Sequence, residues 1–180
     1  MREEVADNVK IPEGIEIEID NDVVIAKKGA EKIELAIGDM NIEKENNLIK
    51  LFNKRGNRGD KRQIKTMAAH IRNMFAGLNE PFVYKLQIAS VHFPMNVTYD
   101  SAKKEILIKN FLGEKNARKA KIKDGVDVKI ERDFIILTSS DKEAAGQSAA
   151  NIEQATKIKS RDRRVFQDGC YIVEKAGRKL

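Results

Sequence analysis

The sequence predicts an α+β protein made of two tandem similar domains, each a small antiparallel sheet with one helix packed on a face. Three observations predict it. Apolar residues alternate with polar ones over several short runs, the mark of half-buried strands. Two longer stretches place apolar residues at helical spacing behind a capping pattern. The order of these elements in residues 1–81 is replayed in residues 82–180.

Ile15, Ile17 and Ile19 alternate with Glu16, Glu18 and Asp20, and Val23-Val24-Ile25 follows a turn at Asp20-Asn21-Asp22, which gives a hairpin. Further strands are expected at Ile33–Ile37 and Leu48–Phe52. A helix begins near Asp60, where Asp60 and Gln63 have the form of a capping box, and Ile64, Met67, Ala68, Ile71, Phe75 and Leu78 share one face. Gly77 and Pro81 stand where that helix should stop. In the second half Phe93-Pro94 and Val97 answer Ile11-Pro12 and Ile15, Ile106–Ile108 answers Val23–Ile25, and Phe134–Leu137 answers Leu48–Leu51. Ser140 with Glu143 forms a second candidate capping box, and Ala149-Ala150-Asn151-Ile152 repeats Ala68-Ala69-His70-Ile71. The offset between the halves shortens between last strand and helix, which assigns extra residues to a loop at Asn53–Gly59. The strand-like run Phe82–Ala89 is expected to complete the first sheet before the chain enters the second domain.

The 180 residues carry a net charge of +6, unevenly distributed: residues 1–50 hold thirteen acidic and seven basic side chains, so the remainder is strongly basic. Such asymmetry points to a surface facing a polyanion. No apolar run approaches the ~20 residues that span a bilayer, and the start of the chain has no apolar signal segment, so a cytosolic protein without a membrane partner is expected. The single Cys170 and the two histidines, His70 and His92, have no metal-ligand spacing, and no cofactor is implied. No nucleophile stands in a catalytic motif and no phosphate-binding glycine loop is present, which argues against an enzyme.

Two basic clusters are candidate RNA-binding sites. Lys115, Arg118, Lys119, Lys121 and Lys123 follow Gly113 in what reads as a basic hairpin loop, whose counterpart in the first half lacks the charge. From Lys157 to Leu180 eight basic residues face three acids. There Lys157, Lys159, Arg161, Arg163, Arg164, Lys175, Arg178 and Lys179 supply phosphate-matching groups, with Gln167 among them, and the rings of Phe166 and Tyr171 suit stacking on a base or ribose. Neutralising about six to eight phosphates gives a log–log salt slope on the order of −4 to −7. The last residues, Ala176–Leu180, have too little apolar content to fold without a partner, and Asp162 and Asp168 are expected to orient neighbouring arginines. Gly56-Asn57-Arg58-Gly59 matches the two-glycine loop of KH domains. That loop joins two helices, whereas a strand precedes it here, so a flexible basic insertion is the expectation.

The spacing of Gln154, Ile158, Arg161, Arg164, Phe166, Asp168, Gly169, Tyr171, Ile172 and Lys175 resembles the C-terminal signature of the archaeal and eukaryotic branch of the L6 family (uL6) of the large ribosomal subunit. His70–Met74, His92–Met95, Asn110–Lys115 and Asn151–Thr156 are similar to further stretches of that family, in the same order. Cys170 departs from the bulky aliphatic residue that normally follows Asp-Gly. The resemblance implies a non-enzymatic structural constituent of the cytoplasmic ribosome. Its second domain and tail would pack on large-subunit rRNA beside the sarcin–ricin loop, near neighbouring ribosomal proteins and translation factors, and its first domain would face outward. The alternatives are an RNA-acting enzyme or accessory factor using the same surface, and a free RNA-binding module outside the ribosome.

Overall fold

The computed structural model describes every residue except 1, 2, 21, 22, 30, 39 and 163, and every remaining side chain except those of Glu3 and Arg55. The chain divides into two compact units, Met1–Glu80 and Pro81–Leu180. The first runs through β1 (Glu3–Lys10), β2 (Glu16–Asp20), β3 (Val23–Lys28), β4 (Glu31–Ala36), β5 (Asn41–Glu45), β6 (Leu48–Gly56) and α1 (Arg58–Asn79). The second repeats that order through β7 (Phe82–Ala89), β8 (Asn96–Asp100), β9 (Glu105–Lys109), β10 (Arg118–Lys121), β11 (Asp127–Glu131), β12 (Phe134–Ser139) and α2 (Lys142–Ala155), and then adds β13 (Gly169–Lys175) and β14 (Arg178–Lys179).

Both units are α+β and wholly antiparallel, as the alternating pattern predicts. Each holds two sheets rather than one. In the first unit the strand orders are β1-β6-β5 and β2-β3-β4; in the second they are β10-β9-β8 and β11-β12-β7-β13-β14. The duplication therefore runs strand for strand, β1 matching β7 and β6 matching β12, with a C-terminal hairpin added to the second copy.

Each unit encloses its own core. Val24, Ala26, Ile49, Leu51, Ile64, Ala68 and Ile71 are sealed in the first; Leu86, Ile106, Ile108, Phe111, Ile135, Leu137 and Ile152 are sealed in the second. Burying each such branched aliphatic side chain is worth about 1.5–3 kcal/mol. Helix α1 turns Ile64, Ala68, Ile71, Phe75 and Leu78 inward, the face that the spacing selects, with Met67 partly buried at its border.

Four expectations are corrected. The Phe82–Ala89 strand does not complete the first sheet; as β7 it is the middle strand of the second unit, paired to β12 and β13. Its role follows from the phase of the repeat, because each copy begins with this strand. The extra residues at Asn53–Gly59 form no flexible loop. Strand β6 continues to Gly56 because β1, a charged run that shows little apolar alternation, pairs along it from Glu3↔Gly56 to Lys10↔Leu48. A Cβ at Gly56 would lie 3.0 Å from Val5 Cγ2, so the strands close tightly there. Gly56–Gly59 thus joins a strand to a helix, and the KH geometry is absent. Gly77 does not stop α1 but is buried within it; the helix runs to Asn79, with Glu80 as its C-cap.

The fourth correction concerns the caps. Asn57, not Asp60, is the N-cap of α1: its Oδ1 accepts from Gly59 N (2.6 Å) and Asp60 N (3.0 Å), while Asp60 Oδ2 accepts from Asn57 N (2.6 Å). Asp60 is the third residue of the capping box rather than its start. At α2 the cap is Asp141, whose Oδ1 accepts from Glu143 N at 2.8 Å, one residue beyond the expected Ser140. Asn57→Ala should lower the stability of the chain by about 1 kcal/mol, read from the denaturant midpoint with an unchanged m-value.

Candidate nucleic-acid interface

Strand β7 ends at Ala89, where it pairs with Gly169 at the start of β13. Asp168, directly before β13, extends the register with its side chain instead of its backbone. Its Oδ1 accepts from Val91 N (2.8 Å) and His92 N (2.9 Å), and its Oδ2 meets His92 Nδ1 at 2.6 Å. The carboxylate has 0% solvent exposure. Burial, the largest single influence, pushes its pKa up, but the hydrogen bonds from His92 and Val91 outweigh it and hold the group below the usual carboxylate value. Asp168 therefore anchors the segment after β7 rather than orienting an arginine.

The anchored segment is exposed at its tips, Val91 at 69% and Phe93 at 45%. Its far side is held by Asn110 Nδ2, which donates to Pro94 O at 3.0 Å. Asn110, Leu112 and Gly113 all have positive φ, and the backbone of Gly113 passes under the Phe93 ring, where a Cβ would lie 3.6 Å from the ring edge. A left-handed leucine is an uncommon conformation. It accompanies the complete burial of its neighbour Phe111.

The two basic clusters of the sequence meet beside this segment. Arg118 donates from Nε and Nη2 to Glu114 (2.8 and 2.6 Å) and from Nη1 to Ala155 O (2.9 Å) and Lys157 O (3.2 Å), with its guanidinium 4.1 Å from the centre of the Phe111 ring. It satisfies backbone carbonyls at the end of α2. Arg118 is thus a structural cation, half-buried and engaged within the protein, and not the free phosphate ligand that composition suggests. Glu114 is held below its ordinary pKa first by the hydrogen bond from Arg118, and also by the charges of Arg118 and Arg161.

Arg161 lies over the Phe166 ring at 4.8 Å, and His92 stacks on the same ring with centroids 4.9 Å apart. The turn before Phe166 is built by Asp162, which accepts from Arg164 N through its side chain and from Phe166 N through its carbonyl, each at 2.9 Å. It leaves Arg164 93% exposed. Gln167 is exposed and donates to Arg164 O. Phe166 is half-buried beneath these neighbours, and Tyr171 is half-buried in β13 with its hydroxyl directed at Asp168 O. Phe166 already has Arg161 and His92 as ring partners, while Tyr171 lines a surface pocket with Gln154, Lys157 and Ile158.

Of the predicted residues, Lys115, Lys119, Lys157, Lys159, Arg161 and Arg164 are exposed on the turn, strand and tail that Arg118 and Glu114 tie together. Lys121 is exposed in a groove beside α2 whose lining includes Asp141 and Glu143. Lys175, Arg178 and Lys179 belong to the β13–β14 hairpin at the other end of the sheet, since Lys175 pairs with Tyr84 while Gly169 pairs with Ala89. At about 3.3 Å per residue they sit on the order of 20 Å from Asp168. The final residues are in sheet register, with Leu180 N donating to Val173 O, so they fold onto the second unit without a partner. Arg163 lies outside the described residues.

Sequence reasoning missed the roles of His92 and Asp168 as partners across 76 positions. The available signal was their placement, one just after an apolar run and the other just before Gly169 and a second apolar run. Of the two acids amid the basic patch, Asp168 is sealed and Asp162 holds a turn. Cys170 is fully buried, and burial pushes its thiol up to about 12, so it is not a nucleophile at neutral pH.

Two similar α+β units, the second carrying an exposed cationic face, define the class, and comparison with known proteins agrees. The model of the family described as ribosomal protein L6 matches residues 93–169, which span most of this surface. The chain is 43% identical over 178 residues to large ribosomal subunit protein uL6 of Methanococcus vannielii, covering 98% of this chain and 97% of that one. It is 39% identical to the uL6 of Methanobrevibacter smithii, covering 95% and 96%. The chain belongs to the uL6 family, a family of ribosomal proteins and not of enzymes.

Three outcomes test this geometry. Asp168→Ala, which leaves two amides and an imidazole without their acceptor, should destabilise the protein by about 3 kcal/mol. Because the folded carboxyl pKa is depressed, its contribution is complete above the unfolded value near 4 and is lost as pH falls through the folded value; the stability gap between wild type and Asp168→Asn should therefore narrow as pH is lowered below about 4. Cys170 should resist alkylation at pH 8 in the native protein and react fully in denaturant.

Proposed function

We propose that the chain is a structural constituent of the large ribosomal subunit in the cytoplasm, and that it binds large-subunit rRNA through the second unit. The observation that carries the reading is the cluster of exposed cations, Lys115, Lys119, Lys157, Lys159, Arg161 and Arg164, on backbone that the fold holds rigid through Arg118, Asp162 and Asp168. Because the backbone is already ordered, meeting phosphates costs side-chain freedom but no further ordering of the chain. The surface acts by position: it neutralises phosphate repulsion and fixes neighbouring RNA segments relative to one another, without chemical change.

The exposed Phe93 and Val91 at the tip of the anchored segment are further groups suited to apolar contact with a ribose or base, beside Phe166 and Tyr171. Family membership supports placing the contact beside the sarcin–ricin loop, near neighbouring ribosomal proteins and the ground used by translation factors. The acid-rich strands of the first unit suit an outward position, since carboxylates repel phosphate.

Six cations give a salt slope on the order of −4 to −5 for binding to large-subunit rRNA. Arg161→Ala with Arg164→Ala should reduce the magnitude of that slope by about 1.5 and leave the variant underrepresented in large subunits when it competes with wild type. Equal incorporation of the two proteins would refute the assignment.

A further inference from the structure

Helix α1 has its charges at the wrong end for its own stability. The N-terminus of a helix is the positive end of its dipole and favours acidic neighbours, yet Arg58, Lys61 and Arg62 crowd the first turns of α1 and Lys65 follows, while the last turn holds no basic residue. Arg58 with Arg62, and Lys61 with Lys65, are like-charge pairs four residues apart, which further disfavours the helix. Asp60, the only acid in the helix, is committed to the capping box. All four cations are exposed, and none forms an ion pair with another described residue.

The duplication supplies an internal control. Helix α2 performs the same packing task in the second unit with Glu143 in its first turn and Lys142 as its only cation. Packing on the sheet therefore does not require the cations of α1. The four side chains share one open face of the helix with Thr66, Ala69, His70 and Asn73, so the face runs along the helix for more than two turns. Thr66 and Ala69 continue the face past Lys65 with small side chains.

We infer that the outer face of α1 is a second RNA-binding surface, engaging the phosphates of an RNA strand with Arg58, Lys61, Arg62 and Lys65. The helix amides are taken by the Asn57–Asp60 capping box, so the attraction rests on the arginine and lysine side chains, which suit phosphate groups. The first unit is then two-sided, with acidic strands and a basic helix, and it contributes affinity that the second unit's surface does not explain.

The test uses the full chain and large-subunit rRNA, comparing wild type, a helix variant (Arg58→Gln, Lys61→Gln, Arg62→Gln, Lys65→Gln) and a tail variant (Arg161→Gln, Arg164→Gln). The helix variant should shrink the salt slope by about three while melting no lower than wild type, since it removes repulsion from the helix start. The milder pair Lys61→Gln with Lys65→Gln should shrink it by about 1.5. An unchanged slope in the helix variant alongside a reduced slope in the tail variant overturns this inference and leaves the function proposed above standing. The reverse pattern supports it and overturns the tail's assignment. An unchanged RNA slope with lost retention on polyglutamate would assign the face to an acidic protein and also overturn the inference.

Discussion

A single buried carboxylate determines the shape of the second unit's surface. The ladder between β7 and β13 ends at Ala89 and Gly169, and beyond it backbone pairing gives way to Asp168, which takes two amides and an imidazole from Val91 and His92. Because those donors are 76 and 77 positions away in sequence, the contact fixes the start of the unit against its end. The exposed tip at Val91 and Phe93, the ring contact of His92 with Phe166, and the placement of Arg161 over that ring all follow from it.

The cationic residues divide into two kinds that composition does not distinguish. Arg118 closes the end of α2 and covers Phe111, and through Glu114 it joins the turn after β9 to the tail. Lys115, Lys157 and Arg164 stay in solvent. The planar fork of arginine suits the first task, because it satisfies carbonyls and a carboxylate at once while its face rests on a ring. Thus the basic surface is built around a basic residue that does not belong to it.

Much of the fold was legible in the sequence. The alternation at Ile15–Ile19, the apolar run Phe134–Leu137 and the helical face from Ile64 to Leu78 are open signals, and the repeat exposed the duplication. What escaped was structure whose cause lies elsewhere in the chain. Strand β1 has few apolar residues, and β6 stabilises it through register; β10 was hidden in a run of lysines because only Ala120 points into the core. Asn57 and Asp141 were displaced by neighbours that also fit a capping pattern, since Ser, Asn and Asp are near-equivalent there. For the site, the charges were visible but their partners were not. Nothing local distinguishes Arg118 from Lys119, or shows that Lys175 and Arg178 sit a strand's length from Asp168.

The order of strands around β7 has a consequence for synthesis. The first unit finds every partner within residues 1–80, so it can assemble while the chain is still being elongated. The second cannot: β7 (Phe82–Ala89) is made well before its neighbour β13 (Gly169–Lys175). Until then one side of β7 is an unpaired edge, the kind of template that recruits other chains. Completion of the sheet therefore waits for Gly169–Lys175, and a message truncated before Gly169 would yield a protein with one finished half and one adhesive half.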